Sequence, residues 1–267
     1  MECSFETLLT TLATQQLVIA SLIRSVTPAR VRPIGYLTHL VRSRTGGRIR
    51  QGPFAGMRYA ENSVGSAYLP KLLGIYEREL NPFIEQACAL KFPLIVDIGA
   101  AEGYYAIGLA LRNPQARVIA FEMEERGQSA LRQMAGLNGV AARVTIYGKC
   151  DVQTLQAALA DAKHSFVVCD VEGDEEALLK PDLIPGLGRA HLLVETHDFV
   201  SRGITERITE RFERTHRVQR IWQEERHRRD LPYTTFGTML LPKRYLDWAV
   251  SEWRPERMCW LWMEPLR

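Results

Sequence analysis

From Leu94 to Glu195, short apolar runs alternate with segments of helical periodicity. Runs rich in Val, Ile and Leu are typical of strands buried on both faces, and their alternation with helices predicts a parallel sheet covered on both sides. The predicted strands are Leu94–Ile98, Arg117–Glu122, Arg143–Tyr147, Phe166–Asp170 and His191–Glu195. The predicted helices are Tyr104–Arg112, Gln128–Gly136, Val152–Asp161 and Glu175–Lys180.

The pattern changes after the fifth strand. An amphipathic helix is predicted over Thr205–Thr215, a sixth strand over Arg217–Gln223, and a seventh over Thr235–Leu241 after a polar loop. Two strands joined without a helical crossover have to pair antiparallel. The expected fold is therefore α/β, a Rossmann-like doubly wound sheet of seven strands whose last strands are antiparallel, with an N-terminal helical cap.

The cap is predicted from apolar residues at helical spacing in the first 90 residues. Its predicted elements are the helices Phe5–Ile23, Thr27–Val41, Lys71–Leu80 and Pro82–Leu90 and a short polar strand, Arg48–Gln51. We divide the chain into residues 1–90, a cap that serves as a substrate lid, and residues 91–267, a cofactor-binding domain. The apolar segment Leu17–Ile23 is too short to span a bilayer, so no membrane span is expected.

Charge and cysteine usage narrow the function classes. The net charge is only +3, but no Asp or Glu occurs between Thr7 and Ala60, a stretch that holds many arginines. That stretch is either a solvated face of the cap or a patch for an anionic substrate or partner. The five cysteines show no paired spacing, which favours a reducing compartment and a cytoplasmic protein.

The segment Asp97–Tyr105 follows a buried strand and opens a helix. Gly99 allows a tight turn, Ala101 is small enough for close approach of a ligand, and Gly103 lets the helix begin near the strand. Asp97 lies at the carboxyl end of the strand, where open α/β sheets bind their ligands. The segment therefore predicts a nucleotide-type cofactor site.

Glu122 ends the second predicted strand, where a carboxylate accepts both hydroxyls of an adenosine ribose. A nicotinamide dinucleotide and S-adenosylmethionine both carry that ribose. Acidic residues before and inside the turn, Asp97 and Glu102, disfavour a pyrophosphate at the helix N-terminus. They suit the ammonium and sulfonium of S-adenosylmethionine, and the antiparallel last strands suit a methyltransferase sheet.

Three segments carry a family resemblance: Asp97–Tyr105, Ala120-Phe121-Glu122 and Cys169-Asp170-Val171-Glu172-Gly173. They resemble the class I S-adenosylmethionine-dependent methyltransferases, and most closely the FkbM-like branch, with its D-x-G-A-x-x-G-Y-Y, A-F-E and D-V-E-G patterns. The similarity extends from about Gly52 to Leu241. Where that branch commonly has A-F-E-P, this chain has Met123, and this departure bears on the subfamily and hence on the substrate.

The resemblance implies a cofactor site at the matched positions. These are Glu77, Asp97, Gly99, Ala101, Gly103, Tyr105, Glu122, Met123, Asp151 and Asp170. The first turn would hold the methionine portion, Glu122 the ribose, and Met123 the adenine. Asp151 would meet the adenine amino group, although it would equally well cap the helix that follows it.

Methyl transfer to a hydroxyl needs alignment of the acceptor and removal of its proton. His197, beyond the fifth strand, is the candidate base, and Asp170 lies on the same edge of the sheet; a structural role for His197 stays open. Asp170, Glu195 and His197 would alternatively bind a divalent cation, but no metal is expected.

The predicted function is O-methylation of a small molecule, either a natural product or a sugar-like acceptor. The alternatives are transfer to nitrogen, methylation of RNA or another nucleic acid, and a non-catalytic S-adenosylmethionine-binding module. The tail Trp248–Trp262 either packs in the core, covers an aromatic acceptor or packs against a second subunit. A homodimer would form through the N-terminal helices or through this Trp-rich tail. A nucleic-acid partner is not expected.

Overall fold

The computed structural model describes residues 32–61 and 67–266. Its centre is a sheet of seven strands, β1 Leu94–Ile98, β2 Arg117–Phe121, β3 Val144–Tyr147, β4 Ser165–Cys169, β5 His191–Thr196, β6 His216–Trp222 and β7 Cys259–Pro265. The strand order is β3-β2-β1-β4-β5-β7-β6. Only β7 runs against its neighbours, pairing antiparallel with β5 and β6. The predicted fold class is confirmed, with one reversed strand.

Ten α-helices are described. They are α1 Pro33–Thr45, α2 Tyr68–Leu73, α3 Asn81–Leu90, α4 Tyr104–Arg112, α5 Glu125–Leu137, α6 Val152–Leu159, α7 Glu175–Leu178, α8 Ile204–Phe212, α9 Phe236–Leu240 and α10 Lys243–Val250. Four 3₁₀ turns lie at Arg78–Leu80, Ala141–Arg143, Pro185–Arg189 and Arg228–Asp230. Helices α1 to α5 pack on one face of the sheet, and α6 and α8 pack on the other.

Side-chain alternation along β1 divides the core into two layers. Ile95 belongs to the cluster beneath α1 to α5, whereas Leu94, Val96 and Ile98 belong to the cluster on the opposite face. Asp97 shares its face with Ile95. Leu37 and Val41 of α1 are buried in the same cluster as Ile95, so the described part of the predicted cap is continuous with the core of the sheet.

The seventh strand was predicted in the wrong place. Residues of the predicted strand Thr235–Leu241 form α9, which begins with a capping box between Thr235 and Thr238. The true last strand, Cys259–Pro265, lies within the Trp-rich tail and buries Trp260 and Trp262. The run Cys259–Met263 contains no β-branched residue, unlike the runs that predict the first five strands, so the same pattern does not identify it.

Smaller differences lie near the N-terminus. The predicted strand Arg48–Gln51 contributes a single bridge between Arg48 and Arg58. The predicted helix Lys71–Leu80 begins earlier and ends at Leu73, where Gly74 caps it in the left-handed conformation. The predicted helix Phe5–Ile23 lies outside the described residues, as does the start of Thr27–Val41.

Membrane spans and disulfides can both be examined in the described residues. None of the described helices has both the length and the apolar character that a membrane crossing requires. Cys88, Cys150, Cys169 and Cys259 are free thiols.

The sheet reverses its order of strands at β1. Strands β2 and β3 extend the sheet from one side of β1, and the chain then returns to place β4 on the other side. In open α/β sheets, ligands bind beyond the carboxyl ends of the strands at such a switch point. Here, Gly99, just after β1, lies against the backbone of Asp170, just after β4.

We expect Gly99→Ala to destabilise the fold by several kcal/mol. Gly99 has φ +81°, and an added Cβ would lie 1.7 Å from the backbone oxygen of Asp170. Gly136→Ala is the control, because that helical position has no atom within 4 Å of an added Cβ. It should stabilise by about 0.5–1 kcal/mol. Urea unfolding of both variants is the measurement, and similar midpoints would contradict the expectation.

Candidate functional site

A cavity of about 670 Å³ opens at the switch point, within the size range of small-molecule sites. The turn after β1 and the segments after β2, β3 and β4 line one part of it. The loop after β5 and the loop before β7 line the rest. Of the predicted site residues, the following line the cavity: Asp97, Gly99, Ala101, Tyr105, Glu122, Met123, Asp151, Asp170 and His197.

Asp97 is almost fully buried at the base of the cavity. Its Oδ2 has no hydrogen-bond partner among the described residues. Burial raises the pKa of Asp97 to about 7, and the nearby carboxylates of Asp170 and Glu122 add to the rise. A buried carboxylate oxygen without a partner is costly, so this position is suited to a cationic ligand group.

Glu122 is buried beside the turn that follows β1. Its Oε2 accepts a hydrogen bond from Ala101 N at 2.7 Å, and its Oε1 accepts one from Glu124 N at 2.8 Å. These bonds fix the carboxylate at the cavity wall, and each carboxylate oxygen has a further lone pair. Met123, the next residue, is 64% exposed and lines the cavity, as the predicted adenine contact requires.

Asp151 caps the N-terminus of α6. Its Oδ1 accepts from Thr154 N at 2.8 Å, and the Thr154 hydroxyl completes a capping box at the start of α6. Asp151 also lines the cavity. The capping hydrogen bonds fix the carboxylate of Asp151 at the cavity edge. Capping of α6 is therefore compatible with the predicted contact to an adenine amino group.

Glu102, the acidic residue inside the turn, does not line the cavity. Its carboxylate binds Lys71 Nζ at 2.7 Å and the Tyr59 hydroxyl at 2.5 Å in a buried cluster. Although burial raises its pKa, these partners bring the pKa of Glu102 below its usual value. The charge of Glu102 is therefore compensated. Of the two acids that were predicted to disfavour a pyrophosphate, only Asp97 lines the cavity.

Gly103 and Glu77 are the two predicted cofactor residues that do not line the cavity. Gly103 adopts φ +93° before α4, and an added Cβ would lie 2.2 Å from Leu131 Cδ1. Its smallness serves the packing of α4 on α5. Glu77 is buried, and its carboxylate accepts from the Tyr105 hydroxyl and pairs with Arg254. Glu77 therefore supports the cavity wall.

His197 lines the cavity beside Asp170 and is almost fully buried. Its Nδ1 lies 2.6 Å from Glu175 Oε1. Because a carboxylate only accepts hydrogen bonds, Nδ1 carries a proton, and Nε2 is the nitrogen that gains or loses a proton when the imidazole titrates. Nε2 lies 3.5 Å from Asp170 Oδ1 and 3.3 Å from Glu172 Oε2. This is the arrangement of an oriented general base.

The acids around His197 set its pKa. Burial lowers the pKa of His197, but the hydrogen bond to Glu175 and the charges of Asp170, Glu175 and Glu172 outweigh it, so that the net pKa is raised. Burial likewise raises the pKa of Asp170 to about 6, although His197 opposes the rise. Perturbed neighbouring pKa values of this kind concentrate at functional sites.

The metal hypothesis named Asp170, Glu195 and His197. The structure instead brings ligand atoms of Asp170, Glu172 and His197 within 4.8 Å of one another. Glu195 lies farther from the imidazole: its Oε2 is 3.8 Å from His197 Nε2, and its Oε1 lies 2.9 Å from Arg254 Nη1. Glu172 therefore replaces Glu195 in the only described set of residues that offers this combination of ligands.

Glu175 and Arg254 were missed by sequence reasoning. Glu175 lies in a run of acids from Asp170 to Glu176, a signal of an acidic site that does not tell which member turns inward. Arg254 lies in the loop before β7 and pairs with Glu77 and Glu195. Its neighbour Glu252 pairs with Arg226 at 2.8 Å.

No protein-family model matches the chain, and no curated protein matches it. Among solved structures, a putative O-methyltransferase from Klebsiella pneumoniae is 14% identical over 94% of this chain and 98% of that one, with a TM-score of 0.46. The human methyltransferase 10 domain containing protein is 12% identical over 84% and 96%, with a TM-score of 0.47.

The B. subtilis M1A22 tRNA methyltransferase TrmK is 13% identical over 67% of this chain and 64% of that one, with a TM-score of 0.41. This chain thus spans less than two thirds of that protein. At such identities and TM-scores, these similarities do not determine an activity. The fold assignment rests on the strand order, and the FkbM-like branch is not confirmed.

We expect Glu175→Gln to lower the pKa of His197, because the variant removes the anion that stabilises the imidazolium. NMR titration of the imidazole C–H resonances measures this directly and requires no substrate. Glu176→Gln is the matched control, since that carboxylate pairs with Arg207 and Arg211. An unchanged pKa of His197 in Glu175→Gln would show that the pair does not set it.

Proposed function

We propose that this protein is an S-adenosylmethionine-dependent methyltransferase that methylates a hydroxyl group of a small molecule. The observation that carries the proposal is the buried carboxylate of Asp97, which presents an unpartnered oxygen to a cavity at the switch point of the sheet. The ammonium group of S-adenosylmethionine supplies the missing partner. The fixed carboxylate of Glu122 is suited to the ribose hydroxyls.

A pyrophosphate is a poor alternative occupant. The cations that line the cavity are Lys71, Lys149 and Arg254. Each lies near a carboxylate: Lys71 pairs with Glu102, Lys149 lies 3.9 Å from Asp174, and Arg254 pairs with Glu77 and Glu195. Above its pKa of about 7, Asp97 carries a negative charge that repels phosphate, so the charge distribution favours the sulfonium cofactor over a dinucleotide.

When bound, S-adenosylmethionine supplies a methyl carbon that bonds to the acceptor oxygen as the carbon–sulfur bond breaks and its electron pair stays on sulfur. His197 Nε2 takes the hydroxyl proton, and Glu175 holds the imidazole in the required tautomer and stabilises its cation. Asp170 lines the cavity beside Nε2. Because the pKa of His197 is raised, we expect the rate to increase as the pH rises through that pKa.

The cap contributes to the acceptor side in this proposal. Lys71 of α2 and Tyr76 line the cavity, which supports a lid role for residues 1–90. In the proposed reaction His197 removes the proton, and no metal ion is required. Loss of turnover on treatment with a chelator would instead favour a cation held by Asp170, Glu172 and His197.

Nucleic-acid methylation is the less favoured candidate. None of the described arginines between residues 32 and 61 lines the cavity, whereas Glu172 and Asp174 do, and both are exposed. Carboxylates at the entrance repel a phosphate backbone. Salt-dependent RNA binding together with methyl transfer to RNA would reverse this preference. Tight cofactor binding without turnover on small molecules would favour a non-catalytic module.

We expect S-adenosylhomocysteine, which retains the ammonium group, to bind more tightly as the pH rises from about 6 to about 8. Asp97 is protonated below its pKa of about 7 and charged above it. Asp97→Asn should weaken binding roughly 10- to 100-fold, the loss of a charge-assisted hydrogen bond, and should remove this pH dependence. Isothermal titration calorimetry across this range is the measurement.

Glu125→Gln provides the control, because Glu125 is exposed in the first turn of α5 and does not line the cavity. Its affinity should match that of the unmodified protein at every pH. Binding heat with a nicotinamide dinucleotide but none with S-adenosylhomocysteine would overturn the proposed function.

A further inference from the structure

The acceptor side of the cavity is built by two loops that meet at one edge of the sheet. One loop follows β5, and the other precedes β7. Because β5 and β7 are antiparallel and pair Thr196 with Cys259, the end of β5 and the start of β7 lie side by side. Each loop contributes an exposed aromatic side chain to the cavity lining, Phe199 and Trp253.

Trp253 is 63% exposed and has φ +58°. A positive φ is a genuine outlier for a bulky residue, and such conformations persist only where the surrounding structure imposes them. Burial repays little of this strain, because Trp253 is mostly exposed and its ring contacts Trp248, which is itself 44% exposed. The conformation therefore calls for an explanation outside the core.

Both neighbours of Trp253 are fixed by buried ion pairs. Glu252 pairs with Arg226 at 2.8 Å and accepts a hydrogen bond from Glu77 N at 3.0 Å. Arg254 pairs with Glu195 at 2.9 Å. The backbone on each side of Trp253 is thus anchored, and the indole is held at the cavity by the loop itself. A pre-positioned ring loses little conformational freedom when it binds a ligand.

Phe199 adds a second aromatic ring close to the candidate base. It is 44% exposed, and its ring centroid lies 5.7 Å from that of His197. Pro255 and Met258 complete this part of the lining. Apolar and aromatic surface thus surrounds the imidazole, and Asp170 and Glu172 supply carboxylates beside it.

We propose that the acceptor is a phenol, whose flat ring packs on Trp253 and Phe199 and directs its hydroxyl to Nε2 of His197. This inference rests on the proposed function and selects an aromatic acceptor over a sugar-like one. Rings pack favourably on aromatic side chains. The exposed carboxylates of Glu172 and Asp174 disfavour an anionic substituent, so neutral or cationic phenols fit best.

The test compares two probes that share a hydroxyl and a substituent but differ in ring type, 4-ethylphenol and 4-ethylcyclohexanol. Each is titrated into the protein saturated with S-adenosylhomocysteine, and binding is followed by NMR. We expect 4-ethylphenol to bind about 3- to 10-fold more tightly, the range of an aromatic pair. The more acidic phenol hydroxyl also donates a stronger hydrogen bond, so the ring contribution is the part of the preference that the aromatic-to-leucine variants remove.

Trp253→Leu and Phe199→Leu should each reduce this preference while S-adenosylhomocysteine affinity stays unchanged. Trp222→Leu is the control, because Trp222 is similarly exposed and does not line this cavity. It should keep the full preference. Equal binding of the two probes, or a preference that Trp253→Leu leaves intact, would overturn the inference and leave the proposed function standing. Absence of S-adenosylhomocysteine binding by the unmodified protein would remove both.

Trp253→Gly separates acceptor binding from a structural role. Glycine adopts a positive φ without strain, so the thermal unfolding midpoint should stay the same or rise while the preference for 4-ethylphenol is lost. A lowered midpoint with the preference retained would assign the residue to stability and overturn the inference.

Discussion

The close approach of two strand ends at the switch point is the constraint on which the site depends. Strand β4 lies directly beside β1, and the turn after β1 touches the backbone of Asp170 at Gly99. Any side chain at Gly99 would separate these strand ends. The contact brings Asp97 and Asp170 into one cavity, because both residues come at or just beyond the carboxyl ends of adjacent parallel strands.

Burying so many acids near one cavity is costly unless each is paired. The protein pairs the structural ones: Glu102 with Lys71, Glu79 and Glu252 with Arg226, and Glu77 and Glu195 with Arg254. Asp97 and Asp170 keep oxygens without hydrogen-bond partners, and both have raised pKa values. Glu79, Glu175, Glu195 and Glu252 keep such oxygens as well. Asp97 and Asp170 differ in that both line the cavity and neither forms a salt bridge with a described lysine or arginine.

The sequence predicted the first five strands within a residue or two, because each is a local apolar run bounded by turn residues. It also predicted the turn at Asp97 and the carboxylate at Glu122, since both depend on local spacing. It misplaced the seventh strand because the run Cys259–Met263 lacks the Val and Ile residues that mark the other buried strands. The contact of Glu175 with His197 and the ion pairs of Arg254 with Glu77 and Glu195 join segments that are distant in sequence. A local pattern does not encode such contacts.

The features that were predicted from sequence and those that were missed lie on different sides of the cavity. The proposed cofactor side is built by residues 97–151, from consecutive strand–helix units, so its pattern can be recognised along the chain. The proposed acceptor side joins Tyr76, His197 and Trp253, which are distant in sequence. The pairing of β7 with β5 brings the loop of Trp253 beside the loop of His197. The proposed cofactor class therefore follows from the sequence, whereas the proposed acceptor class depends on the fold. In this proposal, substitutions in the loops beside β5 and β7 would change the acceptor without disturbing the turn at Gly99.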